Sequence, residues 1–180
     1  MMEHNCGICG IYKTGENNYL TDSDWYDFRI LWALNVNRGN QASGWAASVD
    51  NNIIYGKAAI PSVKAATLIP SFLPKTKWII GHCRYVTNGG TKNNYNNHPV
   101  ISKNGLIIHN GIVTIPDEKE CKKIGIELHY EVDTEVIIKL VDKYGYDSLK
   151  PFTNKEIKGN YAIAYAEFKH PEILYIMRGV

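Results

Sequence analysis

The chain has 180 residues, 44% hydrophobic and 21% charged, enough for one domain with a sizeable core. Twenty basic against eighteen acidic side chains leave a formal charge of only +2, with no lysine or arginine run, which argues against nucleic-acid or anionic-membrane binding. The opening Met-Met-Glu-His-Asn-Cys has neither the basic nor the apolar segment of a signal peptide, and the longest apolar runs, near Trp78–Ile80 and Leu106–Ile108, are strand length. Cys6–Lys13 is predicted as a strand. Thr21–Asp24 offers N-cap residues for a helix carrying Trp25, Phe28, Leu31 and Trp32 at helical spacing, and that helix ends before Asn37-Arg38-Gly39. Ser43–Val49 and Ile53–Ala58 flank a turn at Asp50-Asn51-Asn52. Lys77–Arg84 is a strand leading into an Asn- and Gly-rich loop over Thr87–Asn97, and Val100–Ser102 and Leu106–His109 form a hairpin around Lys103-Asn104-Gly105. Asp133–Tyr144 has helical periodicity with acidic residues in its first turn, and Tyr161–Phe168 and Ile173–Met177 are further strands. Strands outnumber helices, which predicts an α+β layered fold.

The cysteines admit several chemistries. Cys6-x-x-Cys9 has redox or half-zinc-site spacing, but it lies on a strand and not at a helix N-terminus. Cys83 and Cys121 are single thiols with no second C-x-x-C, so Cys9, Cys83 and Cys121 read as small buried hydrophobes and no metal site is expected. Cys6 has a third use. Were residues 1–5 removed, it would carry a thiol and a free α-amine together, and an amine titrating near ~7.7–8.0 is a serviceable base for a thiol near ~8.5.

Other polar clusters recur along the chain: Arg38-Gly39-Asn40-Gln41-Ala42-Ser43-Gly44, Gly81-His82-Cys83-Arg84-Tyr85-Val86-Thr87-Asn88-Gly89, Asn96–Pro99, His109-Asn110-Gly111, Asp133-Thr134-Glu135 and Gly159–Ala162. Singly, each has a structural explanation as a turn, a surface arginine or a helix cap. In this order, and together with the opening Cys6-Gly7-Ile8-Cys9-Gly10, they resemble the class II glutamine amidotransferase domain. That domain is the Ntn-hydrolase glutaminase of amidophosphoribosyltransferase, glucosamine-6-phosphate synthase and their relatives. The wording around Arg38–Gly44 leans toward the amidophosphoribosyltransferase branch, and the resemblance covers essentially the whole chain.

The resemblance implies a four-layer αββα Ntn-hydrolase sandwich: two antiparallel sheets face to face, helices outside, and the nucleophile at the start of an inner strand. It implies that Cys6 attacks the side-chain amide of L-glutamine, its α-amine shuttling the proton. Asn110 and the Gly111 N–H would form the oxyanion hole. Arg84 would clamp the substrate α-carboxylate, with Thr87 and the backbone near Asn88 at the same end, and Asp133 would hold the α-ammonium. Tyr85 would cover the bound glutamine and Arg38 would support the nucleophile end. His82, His98 and His109 are read as structural. The products are a thioester with ammonia, then glutamate, and the half-reaction calls for no metal or organic cofactor.

Two departures from the family pattern shape the expectations. Cys6 does not follow the initiator Met, so residues 1–5 are expected to be a leader cut between Asn5 and Cys6, leaving 6–180 as the glutaminase domain; a start codon placed too early is the alternative. The chain also carries no acceptor domain and stops near Arg178-Gly179, where the family continues with more strands. A C-terminally truncated or naturally minimal version, working with an acceptor domain or subunit elsewhere and located in the cytoplasm, is therefore expected. The rival readings are an Ntn hydrolase of another amide and an inactive remnant that binds glutamine.

Overall fold

The computed structural model describes residues 5–114, 118–145 and 158–179. Among these residues, eight strands and four α-helices run in the order β1 (Gly7–Tyr12), α1 (Asp22–Leu34), β2 (Ala42–Val49), β3 (Asn52–Ala58), α2 (Ser62–Ala65), β4 (Thr76–Arg84), β5 (Val100–Ile101), β6 (Gly105–Thr114), α3 (Glu118–Lys123), α4 (Asp133–Tyr144), β7 (Lys158–Glu167) and β8 (Tyr175–Gly179). They form two four-stranded antiparallel sheets, β1-β4-β2-β3 and β5-β6-β7-β8.

Local chemistry sets the element boundaries. Thr21 caps α1 with a reciprocal box: the Asp24 N–H donates to Thr21 Oγ1, and the Thr21 N–H donates to Asp24 Oδ2 at 2.7 Å. The β2–β3 hairpin closes on Asp50 and Asn51, both left-handed (φ 46° and 62°), the pairing that matches the twist of two antiparallel strands. The β5–β6 turn is pinned to α4, whose Asp142 accepts hydrogen bonds from Ser102 Oγ and the Asn104 N–H.

Period-two alternation sorts the strand residues into three buried layers. Trp78 and Ile80 of β4 and Ala46 of β2 face Leu106 and Ile108 of β6 and Ala164 and Ala166 of β7 between the sheets. Their neighbours Ala47, Ile79 and Cys83 face outward onto Trp25, Phe28 and Trp32 of α1. On the far side Ile107, Val113, Ile163 and Tyr165 pack on Ile137, Ile138 and Val141 of α4. The result is helix, sheet, sheet, helix: the expected αββα sandwich. Each fully buried Phe or Ile side chain contributes about 1.5–3 kcal/mol.

Three details differ from expectation. β1 is an edge strand of its sheet among the described residues, not an inner one, because β4 takes the place between β1 and β2. Helices α2 and α3, of four and six residues, are additional. β7 starts earlier, at Lys158, and β8 later, at Tyr175, than alternation alone suggested.

Candidate active site

Cys6 lies immediately before β1 and is half-buried. Its Sγ accepts a hydrogen bond from the Tyr85 N–H at 3.4 Å and lies 3.5 Å from the Tyr85 carbonyl, to which the thiol donates. Burial pushes the thiol above the usual cysteine range; the Tyr85 backbone and the charge of Arg84 pull against that, and Asp133 adds to it. At neutral pH this thiol is protonated, so any nucleophilic role needs a base.

The segment around Arg38 braces this end. Arg38 Cβ and Cγ lie against Gly7, within 3.0–3.2 Å of where a Cβ would stand. Gly39 rests on the Arg84–Tyr85 peptide so closely that a Cβ there would be 2.5 Å from the Tyr85 nitrogen. Gln41 completes the contact: its N–H donates to the Arg84 carbonyl, and its Oε1 accepts from the Val86 N–H at 2.6 Å.

Arg84 ends β4 on the face between the sheets and is 3% exposed. Its guanidinium donates to Asn97 Oδ1 at 2.9 Å, to the Asn88 carbonyl at 2.5 Å and to the Gly89 carbonyl at 2.8 Å. The Asn-rich loop is thus a built structure. Asn97 Nδ2 donates to the Thr91 carbonyl and to Asn94 Oδ1. Asn96 forms a two-way pair with Glu131, Nδ2 to Oε2 at 2.8 Å and backbone N–H of Glu131 to Oδ1 at 3.1 Å. Lys57, reaching over from β3, donates to the carbonyls of Asn97 and Pro99; burial, with Arg84 nearby, pushes its pKa down to about 8.

β6 supplies His109-Asn110-Gly111. Gly111 has φ +146°, and a Cβ there would lie 2.1 Å from the Asn160 carbonyl oxygen, so only glycine fits this bend. The first turn of α4 supplies Asp133-Thr134-Glu135, and its three side chains do three jobs. Asp133 stands 3.6 Å from His109 Nδ1; burial raises its pKa, but His109 and the N–H groups of Val113 and Thr134 outweigh that and hold it below the usual carboxylate range. The Thr134 hydroxyl meets His98 Nε2 at 3.0 Å and His109 Nδ1 at 3.1 Å. Glu135, fully buried, accepts from the N–H groups of His129 and Tyr130 and so folds the preceding segment back.

A cleft of about 540 Å³ opens between these segments, lined on one side by Thr87 and Asn88 and on the other by Tyr130, Glu131 and Asp133. Thr87, Asn88 and Asp133 from the sequence-derived set line it. Cys6, Arg84, Asn110 and Gly111 do not, although Arg84 and Asp133 are both close enough to bias the ionisation of the Cys6 thiol. Tyr85 is 36% exposed beside Cys6. Asn96, Asn97, Lys57, Thr134 and Glu135 were not singled out as site residues by sequence, although all but Lys57 fall within a motif that was. Among the described residues no group of three or more His, Cys, Asp or Glu is set to hold a metal, and no helix is long and apolar enough to cross a membrane.

No family model matches the chain. Among curated proteins it is similar to enzymes named glutamine–fructose-6-phosphate aminotransferase [isomerizing]. The one from Chlamydia muridarum is 30% identical over 148 residues, 76% of this chain and 24% of the relative. That from Aquifex aeolicus is 32% identical over 144 residues (76% and 24%), and that from Pyrobaculum aerophilum 31% over 155 residues (79% and 25%). The chain spans about a quarter of the length of these relatives. Among solved structures it resembles the glutamine phosphoribosylpyrophosphate amidotransferase of B. subtilis complexed with ADP and GMP, with a TM-score of 0.61 at 19% identity, covering 95% of this chain and 36% of that one. A second structure, described as the allosteric regulatory enzyme of purine biosynthesis, gives a TM-score of 0.58 at 20% identity, covering 91% and 35%. What these two structures share with the chain is the fold.

Proposed function

From the premise that this chain carries a class II, Ntn-type glutamine amidotransferase domain, we propose that residues 6–180 act as a glutaminase with Cys6 as nucleophile. In this reading residues 1–5 are a leader, and cutting the Asn5–Cys6 bond frees the α-amine. The amine takes the Cys6 proton as sulfur attacks the side-chain amide carbon of L-glutamine. The oxyanion that forms accepts hydrogen bonds from the Asn110 side chain and the Gly111 N–H. As the tetrahedral species collapses the C–N bond breaks, the α-ammonium returns the proton to nitrogen, and ammonia leaves a thioester. Water, deprotonated by the same amine, then releases glutamate. Arg84 engages the substrate α-carboxylate with Thr87 and Asn88, Asp133 the α-ammonium, Tyr85 covers the glutamine and Arg38 steadies the nucleophile end.

The observation that carries this reading is the grouping of a thiol with opposite charges: Cys6 feels both Arg84, one residue from its Tyr85 partner, and Asp133. Those charges suit the two ends of an amino acid. Three of the five Arg84 donors are engaged among the described residues, two of them on Nη2, so a carboxylate would meet the guanidinium through Nε–H or the second Nη1–H, or by displacing one of the loop carbonyls. A base is needed for the protonated thiol, and His82 and His98 are unsuited: burial holds His82 near 3 and His98 well below its ordinary range. The ammonia would pass to an acceptor domain or subunit outside residues 1–180. A cytoplasmic location goes with the free thiols of Cys6, Cys9 and Cys83.

The test is the intact mass of the purified protein with and without a diazoketone analogue of glutamine. A chain starting at Cys6 that gains one analogue, while Cys6→Ala gains none, is the expected result. A full-length chain with no adduct and no ammonia release overturns the assignment in favour of the inactive remnant.

A further inference from the structure

Three buried histidines, His82, His98 and His109, stand behind the candidate site, and in each one ring nitrogen has a partner while the other, His82 Nδ1, His98 Nδ1 and His109 Nε2, is buried with none among the described residues. The pattern follows from proton counting. His82 Nε2 faces the His109 carbonyl at 3.0 Å, and a carbonyl only accepts, so Nε2 carries the proton. Thr134 Oγ1 has one hydrogen and two lone pairs, and three neighbours: His98 Nε2, His109 Nδ1 and, at 3.3 Å, Asp133 Oδ1. The ionised carboxylate of Asp133 only accepts. The hydroxyl hydrogen therefore goes to Asp133, and both histidines must donate to the hydroxyl oxygen. Each of these three nitrogens is then a bare lone pair, the least costly group to leave unpaired, and the His82 and His98 rings are neutral. The depressed pKa values of His82 and His98, caused first by burial, agree.

The node joins three parts of the site. His98 directly follows the Asn-rich loop and stacks on His82 at 4.1 Å; His109 precedes Asn110-Gly111 on β6; Asp133 opens α4. Resting on the glutaminase reading for its consequence, we infer that Thr134 is a positioning residue: its hydroxyl fixes the His109 ring as the Nδ1–H form and ties Asp133 to the strand that bears Asn110 and Gly111. Thr134 touches no substrate itself. It sets the separation between the group that holds the α-ammonium and the groups that hold the oxyanion.

The experiment has two arms. Long-range ¹H–¹⁵N spectra of the histidine-labelled wild-type chain at neutral pH should give His82 and His98 as Nε2–H and His109 as Nδ1–H. Thr134→Val, which keeps the shape and removes the hydroxyl, should disturb the His98 and His109 signals and raise the KM for glutamine by about tenfold with a smaller loss in kcat, and Thr134→Ser should restore both. A wild-type His109 protonated at Nε2 overturns the inference, active enzyme or not. So does a folded Thr134→Val with unaltered His109 signals or unaltered KM. An inactive wild type with the expected proton placement and a Thr134→Val that disturbs it sustains the node and counts against the glutaminase reading alone.

Discussion

Asn97 holds Arg84: the Asn97 side-chain carbonyl accepts from the Arg84 guanidinium at 2.9 Å, and both residues are buried. The remaining Asn97 donors close the loop over Thr91–Asn94. One side chain thus orders the Asn-rich loop and aims the charge that ends β4.

Asn97→Ala is expected to raise the KM for glutamine by roughly tenfold or more, since a hydrogen bond to a charged group is worth about 1.5–3 kcal/mol. Steady-state ammonia release checks it. A normal KM with a lowered melting temperature would confine Asn97 to a folding role.

Gly111→Ala should be far worse than Gly90→Ala. The first forces a side chain into φ +146° with a Cβ 2.1 Å from a backbone oxygen; the second places its methyl in open space. We expect Gly111→Ala to cost at least about 1–3 kcal/mol of stability and on the order of 10²–10³ in kcat. Gly90→Ala should be near neutral in both urea denaturation and turnover.

Glu135→Gln is expected to loosen the segment before α4, because its carboxylate accepts from two successive backbone N–H groups in a fully buried setting. The loss should be about 1–3 kcal/mol, with faster amide exchange at His129 and Tyr130. Unchanged exchange at those two amides would refute it.

Stability should fall as pH falls below 6.5. Burial keeps the folded His82 pKa near 3, whereas the unfolded ring titrates near its ordinary 6.5. Between those values the unfolded chain binds a proton that the folded chain refuses, so each unit of acidification raises the unfolding constant by about tenfold for this residue. His98 acts in the same direction. Asp133, with its lowered pKa, adds its own loss only at more acid pH, as its carboxylate protonates in the unfolded chain's range and below. Urea midpoints at about pH 7 and about pH 5 test this, and His82→Gln should flatten the difference.

Much of the fold was legible from local signals. Helix α4 runs over the residues its periodicity and acidic start named, and the capping residues of α1 and the left-handed pair at Asp50-Asn51 fall where turn chemistry put them. Helices α2 and α3 escaped because four or six residues are too short to show a period of 3.6. The motif residues that face the candidate site were also visible. The residues that hold them were less so: Asn97 acts on a guanidinium thirteen residues back, Asn96 on a glutamate thirty-five residues ahead, and Lys57 on a loop forty residues on. A buried asparagine with such a task and a solvated one read alike in sequence, because the difference lies in what the fold brings to them.

The first turn of α4 also works as an index. Successive helical residues point about 100° apart, and here that interval separates three tasks: Asp133 toward His109, Thr134 into the histidine node, Glu135 back onto the His129–Tyr130 backbone. A single residue inserted within this turn, between Asp133 and Glu135, would not weaken one of these contacts by degrees. It would rotate the whole set by one step and exchange every assignment at once. A substitution in place therefore tests one task at a time, whereas a change of length inside the turn tests all three together.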